Sequence, residues 1–175
     1  MAQRLAQFDL QVEPGKTAVL RFGSQAVGPV RRRDGEPRTF NFPGFTHYVG
    51  RSRTGRLVVG RKTEGKRVQR KLKQLRERLR ALRTEGGPAM VAYARRHLQG
   101  HIQYYGVSGN SRSVAHYVYF ATYHLFRWLN RRSQRRSMTW QRFGVLIRRQ
   151  LPAARIVHNL HPTPLWMTQT GSRMV

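Results

Sequence analysis

Cationic and aromatic side chains that could bind phosphates and unpaired bases are concentrated between residues 127 and 140. This segment reads Arg-Trp-Leu-Asn-Arg-Arg-Ser-Gln-Arg-Arg-Ser-Met-Thr-Trp and holds five Arg and two Trp. Guanidinium groups bind phosphate oxygens in pairs, and flat rings stack on unpaired bases. In the competing interpretation the two Trp pack in a core and the Arg only solvate a helix end. The pattern favours core positions for the Trp, with Trp140 kept as a candidate stacking residue, and ligand-facing positions for the Arg.

The overall charge points to the same class of partner. The chain carries 34 Lys+Arg against 7 Asp+Glu, a formal net charge of +27, and has no acidic residue from 86 to 175. Such a charge repels itself in a compact protein, so a polyanionic partner is expected. Arg outnumbers Lys 29 to 5, which favours direct contact with phosphate, although a GC-rich genome would also raise the share of Arg.

Catalytic and metal-binding chemistry is not expected of this chain. Its seven acids are scattered singly, which argues against paired carboxylates or a carboxylate-held Mg²⁺. Cysteine is absent, so disulfides and thiolate zinc sites are excluded. His97 and His101 have the i, i+4 spacing of metal ligands, but no carboxylate or Cys lies nearby, which favours partly exposed structural histidines. We therefore expect no catalytic residue, no metal, no cofactor and no enzymatic activity of its own.

The loop Gln103-Tyr-Tyr-Gly-Val-Ser-Gly-Asn-Ser-Arg-Ser113 is a second candidate contact. Its backbone N–H groups at a helix start, beside Arg112, suit a phosphate. An ordinary capped turn between helices explains the residues equally well, and the glycines do not match a nucleotide-binding loop. The candidate contact residues of this loop are Tyr104, Tyr105, Asn110 and Ser111.

The elements that position these residues are predicted to be four helices. Leu72, Leu75, Leu79 and Leu82 follow Val68 at alternating steps of 3 and 4, one face of a helix that starts at Gly65. Gly86-Gly87 ends this helix, and Pro88 suits the first turn of the next. The remaining expectations are a second helix with Val91, Ala94, Leu98, Ile102 and Tyr105 inward, a central third helix to about Asn130 with Asn110 or Ser111 as its cap, and a fourth capped by Thr139 with Trp140, Phe143, Leu146 and Ile147 inward.

The N-terminal part differs in charge and period. Residues 1–47 have a net charge of +3 and residues 48–175 a net charge of +24, which predicts a boundary near Tyr48. Short strands are predicted at 10–12 and 18–22 around a Pro14-Gly15 turn, at 40–48 and at 56–61. The predicted fold is mainly α in an α+β layout: a small β-hairpin region at 1–47, a connecting strand or hairpin at 48–64, a four-helix bundle at 65–150, and a surface or mobile tail at 151–175.

Two N-terminal segments resemble the intron-encoded reverse transcriptase/maturase proteins of group II introns. Residues 4–17 with Phe22-Gly23 are similar to the end of the polymerase palm, and residues 40–47 are similar to the primer grip. The family usually has Leu where this chain has Pro43. The matching positions are Lys16 and Thr17 for the palm turn, and Phe42, Pro43, Gly44 and Phe45 for the primer grip. A palm remnant would leave the three Phe of residues 40–45 little to pack against, so a partner surface is expected to cover them.

The helical segments resemble the maturase-specific domain of the same family, also called the thumb or X domain. The similarity lies in residues 104–112, in residues 128–134 and in Thr139-Trp140, and the whole resemblance covers about residues 1–160. It implies a helical domain that grips a template–primer duplex and binds intron RNA. In that family the Tyr-Ala-Asp-Asp metal site precedes this region, and this chain holds neither that motif nor a Cys/His endonuclease module.

The expected function is therefore binding of structured, group II intron-like RNA, or of an RNA–DNA duplex, to assist RNA folding, splicing or ribonucleoprotein assembly. The alternatives are the C-terminal half of a split reverse transcriptase, active only with a separate polymerase chain, and a structural subunit of another ribonucleoprotein. No apolar run approaches the ~20 residues of a membrane span, and a bacterial cytoplasmic location is expected. The candidate RNA-binding cations are Lys66, Arg67, Arg70, Lys71, Lys73, Arg112, Arg127, Arg131, Arg132, Arg135, Arg136 and Arg142.

Overall fold

The helical period that begins at Gly65 produces four α-helices in the computed structural model of the protein, which describes residues 7–9, 11, 13, 15, 39–51, 57–131 and 138–160. A three-stranded antiparallel sheet with the strand order β1-β2-β3 precedes the helices. The mainly helical α+β class is therefore confirmed. The elements are β1 (Phe40–Asn41), β2 (Phe45–Arg51), β3 (Leu57–Thr63), α1 (Gly65–Ala81), α2 (Gly87–Tyr105), α3 (Ser111–Asn130) and α4 (Trp140–Ile147).

The core lies where α3 packs against both α1 and α2. The apolar stripe predicted for α1 is confirmed, because Leu75 and Leu79 are fully buried and Leu82 is nearly so. Apolar residues three and four positions apart share one face of a helix, so each helix contributes one stripe to this core. The buried core residues of the other helices include Met90, Ala94, Leu98, Tyr117, Ala121, Leu125, Phe143 and Ile147.

The start of α2 follows the sequence prediction. Gly86 occupies the N-cap position with a φ of +113°, and Pro88 lies in the first turn. Proline suits this position because the first N–H groups of a helix have no partner within the helix. The glycine accepts a backbone conformation that side chains disfavour. The Gly-Gly-Pro sequence therefore ends the turn after α1 and begins α2.

Asn130 and Thr139 fix the passage from α3 to α4. The Asn130 amide nitrogen donates to the Met138 carbonyl, and its amide oxygen accepts from the Met138 N–H, both at 3.0 Å. Thr139 caps α4 as predicted, since its hydroxyl accepts from the Arg142 N–H at 3.3 Å. The inward positions predicted for Leu146 and Trp140 are wrong, because Leu146 is 59% exposed and Trp140 is 36% exposed. Phe143 and Ile147, four residues apart, take the core-facing positions of this short helix.

Residues 152–160 lie against the loop between α2 and α3. The Gly106 carbonyl accepts from the N–H groups of Val157 and His158, at 2.6 and 2.9 Å. A Cβ at position 106 would lie 2.9 Å from the Arg155 carbonyl oxygen of the tail and would also collide with the Ile102 carbonyl oxygen of α2, so glycine is required for this close approach. A surface or mobile tail was predicted for 151–175; most residues of 152–160 are exposed, and residues 161–175 lie outside the described residues.

The chain divides into two compact units. One comprises residues 1–40 and 48–59, and the other comprises residues 41–47 and 60–175. Residues 41–47 therefore belong to the same unit as the helices. The strands predicted at 10–12 and 18–22 rest mostly on residues outside the described ranges. Within the described ranges, no helix is long and apolar enough to cross a membrane.

Candidate nucleic-acid interface

α1 is cationic at most positions outside its apolar stripe. The predicted contacts Lys66, Arg70 and Lys73 are exposed. Arg67 pairs with Glu64 at 3.1 Å, and Lys73 approaches Glu77 at 4.0 Å. The Lys73 pair is solvent-exposed, and Arg67 is exposed beside a partly buried Glu64, so both pairs hold these cations only weakly. A polyanion can reach this surface and can compete with the two carboxylates for their partners.

Lys71 differs from the other cations of α1 because it points towards an aromatic ring. Its ammonium lies 5.1 Å from the ring centroid of Tyr105. Burial lowers the pKa of Lys71, and repulsion by Arg67 and Arg70 lowers it further. The half-buried ammonium is thus held by a cation–π contact. Lys71 is therefore less accessible to RNA than its prediction as an RNA-binding cation implies.

Two residues predicted as contacts in the loop before α3 lie in the interior instead. Tyr105 is 2% exposed and Asn110 is 1% exposed, so neither side chain can bind RNA. Asn110 accepts from the Thr63 N–H at 2.9 Å and donates to the Thr63 hydroxyl at 2.9 Å and to the Tyr105 carbonyl at 2.8 Å. Asn110 occupies the N-cap position of α3 without a capping bond from its side chain. Its side chain instead ties β3 to the α2–α3 loop.

Three other residues predicted for this loop remain at the surface. Tyr104 is 50% exposed, and its hydroxyl donates to the Pro43 carbonyl at 2.8 Å. Ser111 and Arg112 are exposed in the first turn of α3, where N–H groups have no partner within the helix. These positions keep the predicted phosphate contact sterically open.

The FNFPGF segment forms a tight turn between β1 and β2. The Phe42 N–H donates to the Phe45 carbonyl at 2.8 Å, and Gly44 has a φ of +89°. The expectation that Phe45 lacks packing is wrong, because it is 9% exposed and its ring lies 6.0 Å from that of Tyr104 and 5.3 Å from that of Tyr105. Phe42 is 66% exposed and is the side chain of this turn that a partner could cover.

A cavity between α1 and α3 gathers three guanidinium groups. Its volume is about 300 Å³, and the described residues that line it are Arg76, His124, Arg127, Trp128 and Arg131. We call this cavity the guanidinium pocket. Arg76 comes from α1, and the others follow on one side of α3 and its C-terminal cap. None of these lining residues is acidic, so an anion would meet only cationic, imidazole and indole groups.

Trp128 and Arg131 form the stacked side of the guanidinium pocket. The guanidinium carbon of Arg131 lies 5.1 Å from the Trp128 ring centroid. The ring is half-buried and also packs against the core, so the core position predicted for Trp128 is correct only in part. Because a stacked guanidinium keeps its N–H edges free, this contact can orient Arg131 while leaving its donors available for an anion.

His124 is a neutral donor or acceptor within the cationic lining. Burial lowers its pKa, and the nearby charges of Arg76 and Arg127 lower it further. An anion in the guanidinium pocket would reverse the second effect, because an opposite charge stabilises imidazolium. The imidazole can therefore add a hydrogen bond and, with an anion bound, take up a proton.

Exposed aromatic rings lie beside the guanidinium pocket. Tyr119, Tyr123 and Trp140 are 53%, 36% and 36% exposed, and we call them the aromatic platform. The two tyrosine rings are nearly parallel, with an interplanar angle of 5° and centroids 6.5 Å apart. Trp140 packs at an angle to both, at 6.1 and 5.9 Å. Arg127 lies 5.9 Å from the centroid of Tyr123 and so belongs to both the platform and the pocket.

The histidine pair of α2 is structural, but it is more deeply buried than predicted. His101 is 1% exposed, stacks on Tyr117 with centroids 3.5 Å apart and an interplanar angle of 7°, and leaves both ring nitrogens without a partner. His97 bonds to the Tyr117 hydroxyl. Burial lowers the pKa of His101 to about 3. Within the described ranges, no group of three potential metal ligands occurs.

The remaining predicted contacts divide into exposed residues and residues outside the described ranges. Arg127, Arg131 and Arg142 are exposed. Lys16, Thr17, Arg132, Arg135 and Arg136 lie outside the described residues. Sequence reasoning missed Arg76, His124, Tyr119 and Tyr123. For Tyr119 and Tyr123 the signal was present as a spacing: residues 116, 119, 123, 127 and 131 follow one another at steps of three or four, which places them on the outward side of α3. His124 does not belong to this series, and Arg76 lies in another helix.

Comparison with known proteins gave no family model, curated protein or solved structure that matches this chain.

Proposed function

We propose that this protein binds structured RNA, of the kind found in group II introns, through the cationic and aromatic surface of α1, α3 and α4. It would thereby assist RNA folding, splicing or ribonucleoprotein assembly, in a bacterial cytoplasm. The observation that carries the proposal is the guanidinium pocket, where Arg76, Arg127 and Arg131 converge on a cavity without a lining carboxylate. Three cations held together repel one another, and a phosphate would relieve that repulsion.

The extent of the exposed cationic surface supports a polyanionic partner over an acidic patch on another protein. The exposed cations continue beyond the pocket along α1, at Lys66, Arg70 and Lys73, and on α4, at Arg142. RNA offers a regular line of phosphates to such a surface, and the exposed rings of the aromatic platform suit its unpaired bases. The resemblance to the maturase-specific domain supplies the class of RNA.

Sequencing of RNA that co-purifies with the protein tests this proposal. The protein is isolated at low salt, washed at increasing salt, and the RNA that is released is sequenced. We expect enrichment of folded RNAs with intron-like domains over the total cellular pool. Recovery of RNA in the same proportions as the cellular pool would contradict selective binding, and recovery of no RNA would contradict the proposal as a whole.

A second candidate function, as the C-terminal half of a split reverse transcriptase, is favoured by the turn between β1 and β2. There Phe42 is 66% exposed beside Gly44, in the segment that resembles a primer grip. A polymerase chain would supply the metal-binding carboxylates, which do not form a cluster among the residues that the structure describes. Primer extension with this protein alone is expected to match a no-protein control. Extension that appears only after a separate polymerase chain is added would favour the second function.

A further inference from the structure

We propose that the guanidinium pocket and the aromatic platform form one two-part site for an unpaired nucleotide, with its phosphate in the pocket and its base on the platform. This inference rests on the proposed function and adds that the bound RNA segment is unpaired. Arg127 joins the two parts, since it lines the pocket and lies 5.9 Å from the Tyr123 ring centroid. The rings of Tyr123 and His124, one in each part, are 6.3 Å apart.

The pocket suits the phosphate rather than the base. Arg131 already covers one side of the Trp128 ring, while the indole also packs against the core, so stacking of a base on Trp128 is obstructed. The same contact limits the motion of the Arg131 guanidinium and lowers the entropic cost of using its donors. Three guanidinium groups and one imidazole can together supply donors to every free oxygen of a phosphate.

The platform suits the base. Tyr119, Tyr123 and Trp140 are between 36% and 53% exposed, and a contiguous exposed apolar patch often marks a binding site. Ring contacts support their arrangement, because Trp140 packs edge to face on Phe126 at 5.1 Å and stacks on Phe143 at 5.6 Å. Nucleobases stack on such rings with little dependence on sequence, and a neighbouring Arg strengthens the stack.

The combination selects an unpaired nucleotide over a paired one. In a duplex, both faces of each base are covered by neighbouring base pairs, so the platform could not reach them. A single-stranded loop, bulge or end exposes the base face together with its own phosphate. The phosphate could be an internal phosphodiester or a terminal phosphomonoester, since both present free oxygens to the same guanidinium groups.

Fluorescence anisotropy with the full chain tests this site. Two probes are unpaired RNAs of about eight nucleotides, one with a 5′-hydroxyl and one with a 5′-phosphate, and the third is a perfect RNA duplex. This length lies within the usual ~4–16 nucleotides of a single-strand site. The platform variant is Tyr119→Leu with Tyr123→Leu, and the pocket variant is Arg76→Gln with Arg131→Gln. Exposed Arg95 and Arg96 of α2 lie outside the pocket lining, so Arg95→Gln with Arg96→Gln is a control with the same loss of charge.

We expect the platform variant to lose about tenfold or more in affinity for the unpaired RNA while binding the duplex within about twofold of the wild type. The pocket variant should bind the unpaired RNA more weakly than the control variant does. A 5′-phosphate that tightens binding by the wild type but not by the pocket variant assigns a terminal phosphate. Equal binding of the two 5′ forms, with the pocket variant still weaker than the control, assigns an internal phosphate.

The inference is overturned if the platform variant binds unpaired RNA like the wild type, or if the pocket and control variants bind it equally. In either case binding of the duplex by the wild type would leave the proposed function standing. Absence of any RNA binding by the wild type would contradict both the two-part site and the proposed function. Melting curves check the fold of each variant, and Trp140→Leu, which leaves α3 unchanged, repeats the platform test if the double variant melts below the assay temperature.

Discussion

The guanidinium carbon of Arg131 lies 5.1 Å from the ring centroid of Trp128, at the wall of a cavity that Arg76 and Arg127 also line. The indole therefore contributes to two structures at once. Its buried side packs against the core, and its other side orients a cation towards the cavity. A Trp in the last turn of α3 thus connects the packing of the helices to the surface that we propose for RNA.

Replacement of Trp128 by Leu separates these two contributions. Leu retains part of the apolar packing but removes the ring beneath Arg131. The cation–π interaction that is lost contributes about 0.5–1 kcal/mol at an exposed site. RNA affinity should fall by about two- to fivefold in an anisotropy titration. Trp128→Ala should destabilise the protein by less than the ~3–5 kcal/mol typical of a fully buried Trp, because the ring is only half-buried. Loss of that full amount in urea unfolding would show that Trp128 is a core residue alone.

Asn110→Ala should be among the most destabilising changes of a polar residue. It removes three hydrogen bonds and leaves the buried Thr63 N–H without its side-chain acceptor, whereas the Tyr105 carbonyl still accepts from the Val107 N–H at 2.8 Å. Each buried group left unpaired costs about 1–3 kcal/mol. Urea unfolding measures the loss, with the exposed Ser111→Ala as the matched control, which should change the free energy of unfolding by no more than about 0.5 kcal/mol. Similar values for the two variants would contradict this assignment.

The stability of the protein should decrease as the pH falls below about 6.5. The pKa of His101 is lowered from 6.5 to about 3 by burial, by Lys71 and by His97, and the tyrosine rings that pack on it, Tyr105 and Tyr117, supply no carboxylate. Between these two pH values His101 binds a proton in the unfolded chain but stays neutral in the folded protein. The free energy of unfolding should therefore fall by up to about 1.4 kcal/mol per pH unit from this residue.

His101→Phe tests the origin of that pH dependence. Phe retains a flat ring against Tyr117 and removes two nitrogens that have no partner. At pH 7.5 its stability should equal or exceed that of the wild type, because no unpaired polar atom remains buried at this position. Urea titrations at several pH values should give a shallower slope below pH 6.5, with a remainder from His97 and His124, whose pKa values are also lowered by burial. An unchanged slope would contradict the role of His101.

The two Phe of the β1–β2 turn should behave in opposite ways. Phe45→Ala is expected to cost roughly 3–5 kcal/mol, as for other buried Phe, because its ring packs against Tyr104 and Tyr105. Phe42→Ala should change stability by no more than about 0.5 kcal/mol, since Phe42 is 66% exposed. Thermal unfolding compares the pair directly. A large loss of stability for Phe42→Ala would indicate that the turn packs differently.

Helices were predictable from this sequence because their apolar residues recur at steps of three and four. The stripe from Val68 to Leu82 fixes one face of α1, and Gly86-Gly87-Pro88 marks a boundary by backbone chemistry alone. The position of Leu146 was not predictable in this way. In a helix as short as α4, the choice of inward side depends on the neighbouring helices, and a sequence pattern does not contain their positions.

The candidate site was predictable only in its residue types. Arg127, Arg131 and Trp140 were recognised because cations and aromatics crowd one segment. Arg76 was missed because it is far away in sequence and joins the pocket only when α1 packs on α3. Tyr105 and Asn110 were misassigned for the converse reason. The polar residues of their loop suggest an exposed segment. In the folded protein, however, Thr63 of β3 bonds to Asn110, and Lys71 of α1 packs on the Tyr105 ring.

The salt dependence of RNA binding shows whether the cationic surface binds RNA through its phosphates. Affinity for a folded intron-like RNA is measured at equilibrium between about 50 and 200 mM salt, and the slope of log affinity against log salt counts the phosphates that are neutralised. If six or more phosphates contact the cationic surface, affinity should fall by ~10³ or more over this range. A flat response, or an absence of binding at the lowest salt, would contradict the account of this protein as an electrostatic RNA binder.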